Sequence, residues 1–177
     1  GFSAPMVFGE PESERPEGTW SENATERLGV VRNWRRALQR LLVGNPEADA
    51  IAIFQDDCVL ASDTKQWLES LSVPTDAAFV SAYCPTTYSP YNCDQVGALL
   101  KIQGRSVDVL NGAVALAFPR LMAELLAGDA IFGQVTATKN LDGHIGKWCG
   151  RIGRFPYYAN PSRAWHTGDT STIHTEL

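Results

Sequence analysis

The chain has 177 residues, 44% of them hydrophobic and 20% charged, with a formal net charge of −5. That length is enough for one domain with a real core, and the composition excludes a disordered chain. The acidic balance argues against nucleic acid as a partner, and no apolar run approaches the roughly 20 residues of a membrane span.

Residues 5–8 are a short apolar segment of strand character, and residues 9–22, rich in Glu, Pro, Ser and Gly, read as a long surface loop. Asn23 and Glu26 stand at capping-box spacing, which puts a helix start there and explains the Asn23-Ala24-Thr25 triplet without glycosylation. Val30, Val31, Trp34, Ala37, Leu38, Leu41 and Leu42 recur at helical spacing, and Gly44-Asn45-Pro46 ends the helix. Arg32, Arg35, Arg36 and Arg40 on the same helix read as a solvated basic face. Residues 50–54 form a compact apolar run without alternation, as expected of a strand covered on both faces.

Asp63 and Gln66 repeat the capping-box spacing ahead of Trp67, Leu68 and Leu71, which predicts a short second helix. Residues 77–83 read as a strand, and residues 84–95 as a loop of functional size. Two more strands are expected at 96–102 and 113–118, separated by Gly104 and by Asn111-Gly112. Pro119 fits the first position of a helix reaching Gly128, and Asn140 caps a last helix through Trp148 or Cys149. Beyond Pro156 periodicity fades. Strands alternating with helices predict a single α/β domain with a mixed, mostly parallel sheet flanked by helices.

Four cysteines are too few for a disulfide scaffold, although Cys84 and Cys93 could close one loop in an oxidising compartment. No C-x-x-C pair exists, and His144 with Cys149 is a lone i,i+5 pair, so zinc is not indicated. A reducing cytoplasm is the expected setting.

Asp56 and Asp57 follow the apolar strand directly. In open α/β sheets ligands bind where the carboxyl ends of strands leave a crevice, and carboxylates there suit Mg2+ or Mn2+. Adjacent side chains on extended backbone point oppositely, so the two acids share one ion only if the chain turns. One would then hold a metal while the other orients a sugar or ribose hydroxyl. The plainer alternative is that both merely solvate a strand end.

The segment IAIFQDDCVL resembles the strand and metal motif of GT-A glycosyltransferases, in which apolar residues run into D-x-D or a variant of it. The helix with Gly29, Asn33 and Trp34, the segment LNGAVALAFPR (110–120) and the tail NPSRAWHTGDTST (160–172) are similar to family features in the same order. The resemblance spans roughly residues 20 to 173. It implies a GT-A-like fold, Mn2+ or Mg2+ as cofactor, a nucleotide-sugar donor with a UDP-sugar favoured, and a carbohydrate or other hydroxyl acceptor.

Carried over residue by residue, the resemblance makes Asp57 and His166 metal ligands and Asp56, Arg163 and Ser171 contacts to the nucleotide-sugar. Asp142 becomes the general base of an inverting transfer. Ordinary readings stand beside these: a loop histidine for His166, and for Asp142 an acid favoured by a helix's first turn. Trp148, Trp165, Tyr157 and Tyr158 could face a sugar ring or fill the core. Two departures stand out: Gln55 occupies a position where many members have an acid, and the family's first strand has no counterpart. The expectation is therefore a partial catalytic domain whose first strand precedes Gly1. A metal-dependent phosphohydrolase and a non-catalytic carbohydrate-binding domain are the rival functions.

Overall fold

A computed structural model describes residues 3, 5–11, 17, 20–88, 99–103, 110–135 and 140–167. The elements in chain order are β1 (Met6–Gly9), β2 (Trp20–Asn23), α1 (Val30–Gly44), β3 (Ala50–Phe54), β4 (Cys58–Leu60), α2 (Thr64–Ser70) and β5 (Ala77–Ser81). They continue with β6 (Leu99–Lys101), β7 (Ala115–Pro119), α3 (Arg120–Gly128), α4 (Ala130–Gly133), α5 (Leu141–Ile152), β8 (Phe155–Ala159) and β9 (Ala164–His166). Among the described residues, no helix is long and apolar enough to cross a membrane.

Five strands form the central sheet in the order β3-β7-β5-β8-β6, and two ribbons, β1-β2 and β4-β9, stand apart from it. The chain is thus α/β, but the sheet is not mostly parallel. Only β5 with β8 runs parallel; β3 with β7, β5 with β7, and β6 with β8 are antiparallel. The physical reason is that β7 lies between β3 and β5 and runs against both. Apolar runs reveal that strands exist, whereas direction depends on which neighbour arrives later in the chain.

One face of the sheet carries the main core. Phe79, Leu116, Phe118 and Tyr158 pack there against Trp34 and Leu38 of α1, Leu126 of α3, Phe132 of α4, and Ile145 and Trp148 of α5. Trp34 meets Phe118 and Phe132 edge to face, at 5.8 and 6.2 Å between ring centres. The opposite face is thinner, with Trp67 of α2 and Leu71 just after it over Val80 and Tyr157, and Ala164 of β9 over Ala82 and Ala115. That layer stops short of β3. Ile51 is buried and Ile53 packs on the main core, but Ala50 and Phe54 are exposed, so β3 is not covered on both faces.

The first helix forms where its apolar spacing predicts, but its start is later and its cap is different. Asn23, expected to cap the helix, instead ends β2 opposite Gly9, the rest of β2 falling in what reads as a loop, and α1 begins at Val30. The carboxylate of Glu10 performs the capping, accepting from the amides of Leu28 and Gly29 at 2.8 Å each. The α1 arginines are not a free basic face either. Arg35 donates to the carbonyls of Gly133 and Ala127, Arg36 to those of Gly9 and Glu22, and Arg40 to the Glu22 carboxylate.

Asp63 precedes α2 without a capping bond, because its carboxylate pairs with Arg163. Pro119 closes β7, and α3 starts one residue later. Asn140 does cap α5, its side chain accepting from the Gly143 amide at 3.1 Å, and the helix continues to Ile152 before Gly153 turns left-handed at φ 64°. Asp129 caps α4, its carboxylate accepting from the Phe132 amide at 2.6 Å and from Arg151 at 2.8 Å.

Burial works against ionisation of Asp129, but the Phe132 amide and Arg151 outweigh it and hold the carboxyl below its ordinary range. A depressed folded pKa stabilises the fold above the unfolded value of about 3.9 and loses that contribution as pH falls through the folded one. Asp129→Ala should therefore cost about 1–2 kcal/mol at pH 7 by urea denaturation. The difference from wild type should shrink below about pH 4.

Residues 156 onward, without visible periodicity, form β8 and β9. Pro156 hides β8: it sits where the β5–β8 register shifts, and its carbonyl accepts from the Ile102 amide at 3.0 Å.

Candidate functional site

β3, β5 and β8 all run toward one edge of the sheet. There Phe54 pairs with Ala115, Ser81 with both Leu116 and Tyr158, and the Gln55 amide donates to the Val114 carbonyl at 2.8 Å. Gln55 to Cys58 then make a turn, the Cys58 amide donating to the Gln55 carbonyl at 3.3 Å. The turn separates the two acids. Asp56 points into solvent, while Asp57 is half-buried.

The chain returns to Asp57 through β9, whose His166 pairs with Cys58 across the ribbon. His166 Nε2 lies 2.8 Å from Asp57 Oδ2, a contact between residues 109 apart in sequence. Thr167 anchors the backbone behind it, its amide and hydroxyl both donating to the Asp57 carbonyl at 2.8 and 3.0 Å. Asp57 Oδ1 is buried with no hydrogen-bond partner. Buried polar atoms are nearly always satisfied, so an orphaned carboxylate oxygen invites a missing donor or cation. Burial, helped by the charge of Asp57, pushes the neighbouring Cys58 thiol up.

A carboxylate oxygen and an imidazole nitrogen together suit Mn2+ better than Mg2+, which prefers oxygen alone. Among the described residues no group of three or more His, Cys, Asp or Glu side chains could hold a metal. Asp57 and His166 are the residues that would hold such an ion, although His166 Nε2 is engaged with Asp57 Oδ2 as the structure stands.

Asp142 sits in the first turn of α5 at the same edge. Its Oδ2 accepts from the Gly112 amide at 2.6 Å, two residues before Val114. Gly112 has φ +83°, and its Cα faces the Tyr83 ring. Beside it the Asn111 amide donates to the Tyr88 hydroxyl at 3.1 Å, and the Tyr158 hydroxyl donates to the Asn111 carbonyl at 3.0 Å. Burial raises the hydroxyl pKa of Tyr83, Tyr88 and Tyr158, and the charge of Asp142 adds to each. The Asn111-Gly112 dipeptide was legible as a turn; the tyrosines gathering on it came without a sequence signal.

The other expected residues divide. Arg163 is committed to Asp63, and its carbonyl accepts from the Ala61 amide and the Thr64 hydroxyl, both at 2.9 Å, so it joins β9 to α2. Trp148 and Tyr158 are fully buried in the core, whereas Trp165 is 52% exposed. Ser171 lies outside the described residues, as do Cys93 and with it the Cys84–Cys93 pairing. A groove of about 250 Å³, lined by Pro74, Ala77, Pro119, Leu121, Met122 and Arg154 among others, opens at the opposite edge and holds none of the expected site residues.

No protein-family model matches the chain, and no curated protein matches it.

Proposed function

We propose that this chain is a GT-A-like glycosyltransferase domain that moves a sugar from a nucleotide-diphosphate donor, with a UDP-sugar favoured, to a hydroxyl acceptor. One observation carries the reading: Asp57 and His166 meet at 2.8 Å beside an unpartnered carboxylate oxygen, at the edge where three strands end. Asp57 and His166 would hold the Mn2+ or Mg2+, and the bound ion supplies positive charge to the departing diphosphate. A cytoplasmic setting is part of the same proposal.

The chain's own residues take the remaining tasks. Asp142 removes the proton of the acceptor hydroxyl as that oxygen attacks the anomeric carbon, inverting it. The Gly112 amide fixes the carboxylate through one oxygen. Asp56, in solvent beside the pair, accepts from a sugar or ribose hydroxyl, and Ser171 donates to phosphate.

The deciding experiment is calorimetry of the full chain with UDP, with and without Mn2+. UDP should bind only when Mn2+ is present; equal affinity without it would overturn the metal-dependent reading. Asp142→Asn should leave UDP affinity unchanged, because an amide oxygen still accepts from Gly112. Release of UDP from UDP-hexoses should nonetheless fall by about 10²-fold or more. A phosphohydrolase using the same acids would release nucleotide as fast without an acceptor as with one.

A second reading, a non-catalytic carbohydrate-binding domain, is favoured by the exposure of Trp165 next to its cross-strand partner Val59. Sugar binding that persists without any metal and without turnover is its signature.

A further inference from the structure

We propose that the free edge of β3 is a docking site for an extended segment of a partner protein, with an apolar centre and basic ends. The hydrogen-bond parity of the strand defines the site. The Gln55 amide donates to Val114, and the Asp49 carbonyl accepts from the Arg120 amide. Positions 49, 51, 53 and 55 thus exchange bonds with β7, while Ala50, Ala52 and Phe54 turn their N–H and C=O groups away from it. Pro119 is tolerated opposite Ala50 because that position needs no donor.

β3 terminates the five-stranded sheet, and among the described residues no strand lies beyond it. Edge strands are ordinarily protected by a charge, a proline, a bulge or a covering element. The sequence AIAIF has no charge and no proline, and its register with β7 is unbroken. On the strand itself Phe54 is 37% exposed. Among the described residues, no strand pairs with the outward backbone groups of β3, and Phe54 beside them is only partly covered.

Charge selects the occupant. Glu47 and Asp49 precede the strand and Asp56 and Asp57 follow it, with Glu47, Asp49 and Asp56 exposed. A second copy of the chain, pairing antiparallel about Ala52, would set Asp49 against Gln55 and Glu47 against Asp57, bringing acids together at both ends. A strand with Lys or Arg at its ends meets Asp56 at one end and Glu47 and Asp49 at the other, where Arg120, on the Asn45 and Ala48 carbonyls, is already paired with Glu124. Main-chain bonds would then give affinity and the flanking charges selectivity. The proposal does not require the Asp57–His166 pair to bind a metal.

Two peptides test it on the full chain, Lys-Lys-Val-Thr-Val-Thr-Val-Lys-Lys and its Glu-ended counterpart, with amide hydrogen exchange read by NMR. The Lys-ended peptide should slow exchange at Ala52 and Phe54 about tenfold or more while leaving Ile51 and Ile53, already bonded to β7, unchanged. Ala52→Pro removes only the outward donor and should weaken peptide affinity about tenfold. Should that variant fail to fold, exchange in the unaltered protein decides. No binding, equal binding of the Glu-ended peptide, or protection confined to β6 would overturn the proposal. So would concentration-dependent protection of Ala52 and Phe54 without peptide, which would make a second copy the occupant.

Discussion

Asp57→Asn should weaken UDP binding in Mn2+ by at least about 100-fold and leave the melting temperature unchanged or raised. The second half of that expectation carries the argument. Asparagine keeps an oxygen toward His166, so the β4–β9 ribbon retains its link. It also removes the charge from a group whose Oδ1 is buried without a partner, and a neutral amide costs less to bury than a carboxylate. Calorimetry and thermal melting on the same preparation separate the possibilities. A lower melting temperature with UDP affinity intact would make Asp57 a strut for β9 and remove it from the site.

Gly112→Ala should destabilise the fold by about 2–5 kcal/mol, a large share of the 5–15 kcal/mol typical of a domain. Two penalties coincide. At φ +83° any side chain is strained, by about 1–2 kcal/mol. The added Cβ would also stand 2.8 Å from two atoms of the Tyr83 ring and 2.9 Å from the Pro85 ring, both rigid. Urea denaturation measures the sum, and a Tyr83→Ala background should recover part of the steric share while leaving the backbone share. Because the Gly112 amide holds Asp142, any surviving folded variant should also misplace that carboxylate.

Helices were legible where one face is apolar. α1 follows the spacing of Val31, Trp34 and Leu38, and α5 follows Asn140 as its cap. What failed was long-range. Nothing near Val30 announces that Glu10, nineteen residues before Gly29, supplies the capping carboxylate. Asp63 has capping spacing but finds Arg163, a hundred residues on, to be the stronger partner. β8 shows no alternation because Tyr157 and Tyr158 are buried on opposite faces, and Pro156 argues against a strand. At the candidate site Asp57, Asp142 and His166 were each readable as chemical types. That Asp57 touches His166, and that Asp142 rests on Gly112, follows from β9 and β7 returning to one edge, which no local pattern encodes.

The position of β7 also bears on how the chain is made. β3 and β5 share no backbone hydrogen bond with each other; both bond to a strand that leaves the ribosome only at residues 115–119. Until then β3 and β5 have no strand between them to join. Their pairing is a late, non-local event of the kind that folds slowly and exposes apolar segments meanwhile. Assembly of this sheet consequently waits for β7, and a fragment that stops before residue 115 is expected to aggregate rather than fold.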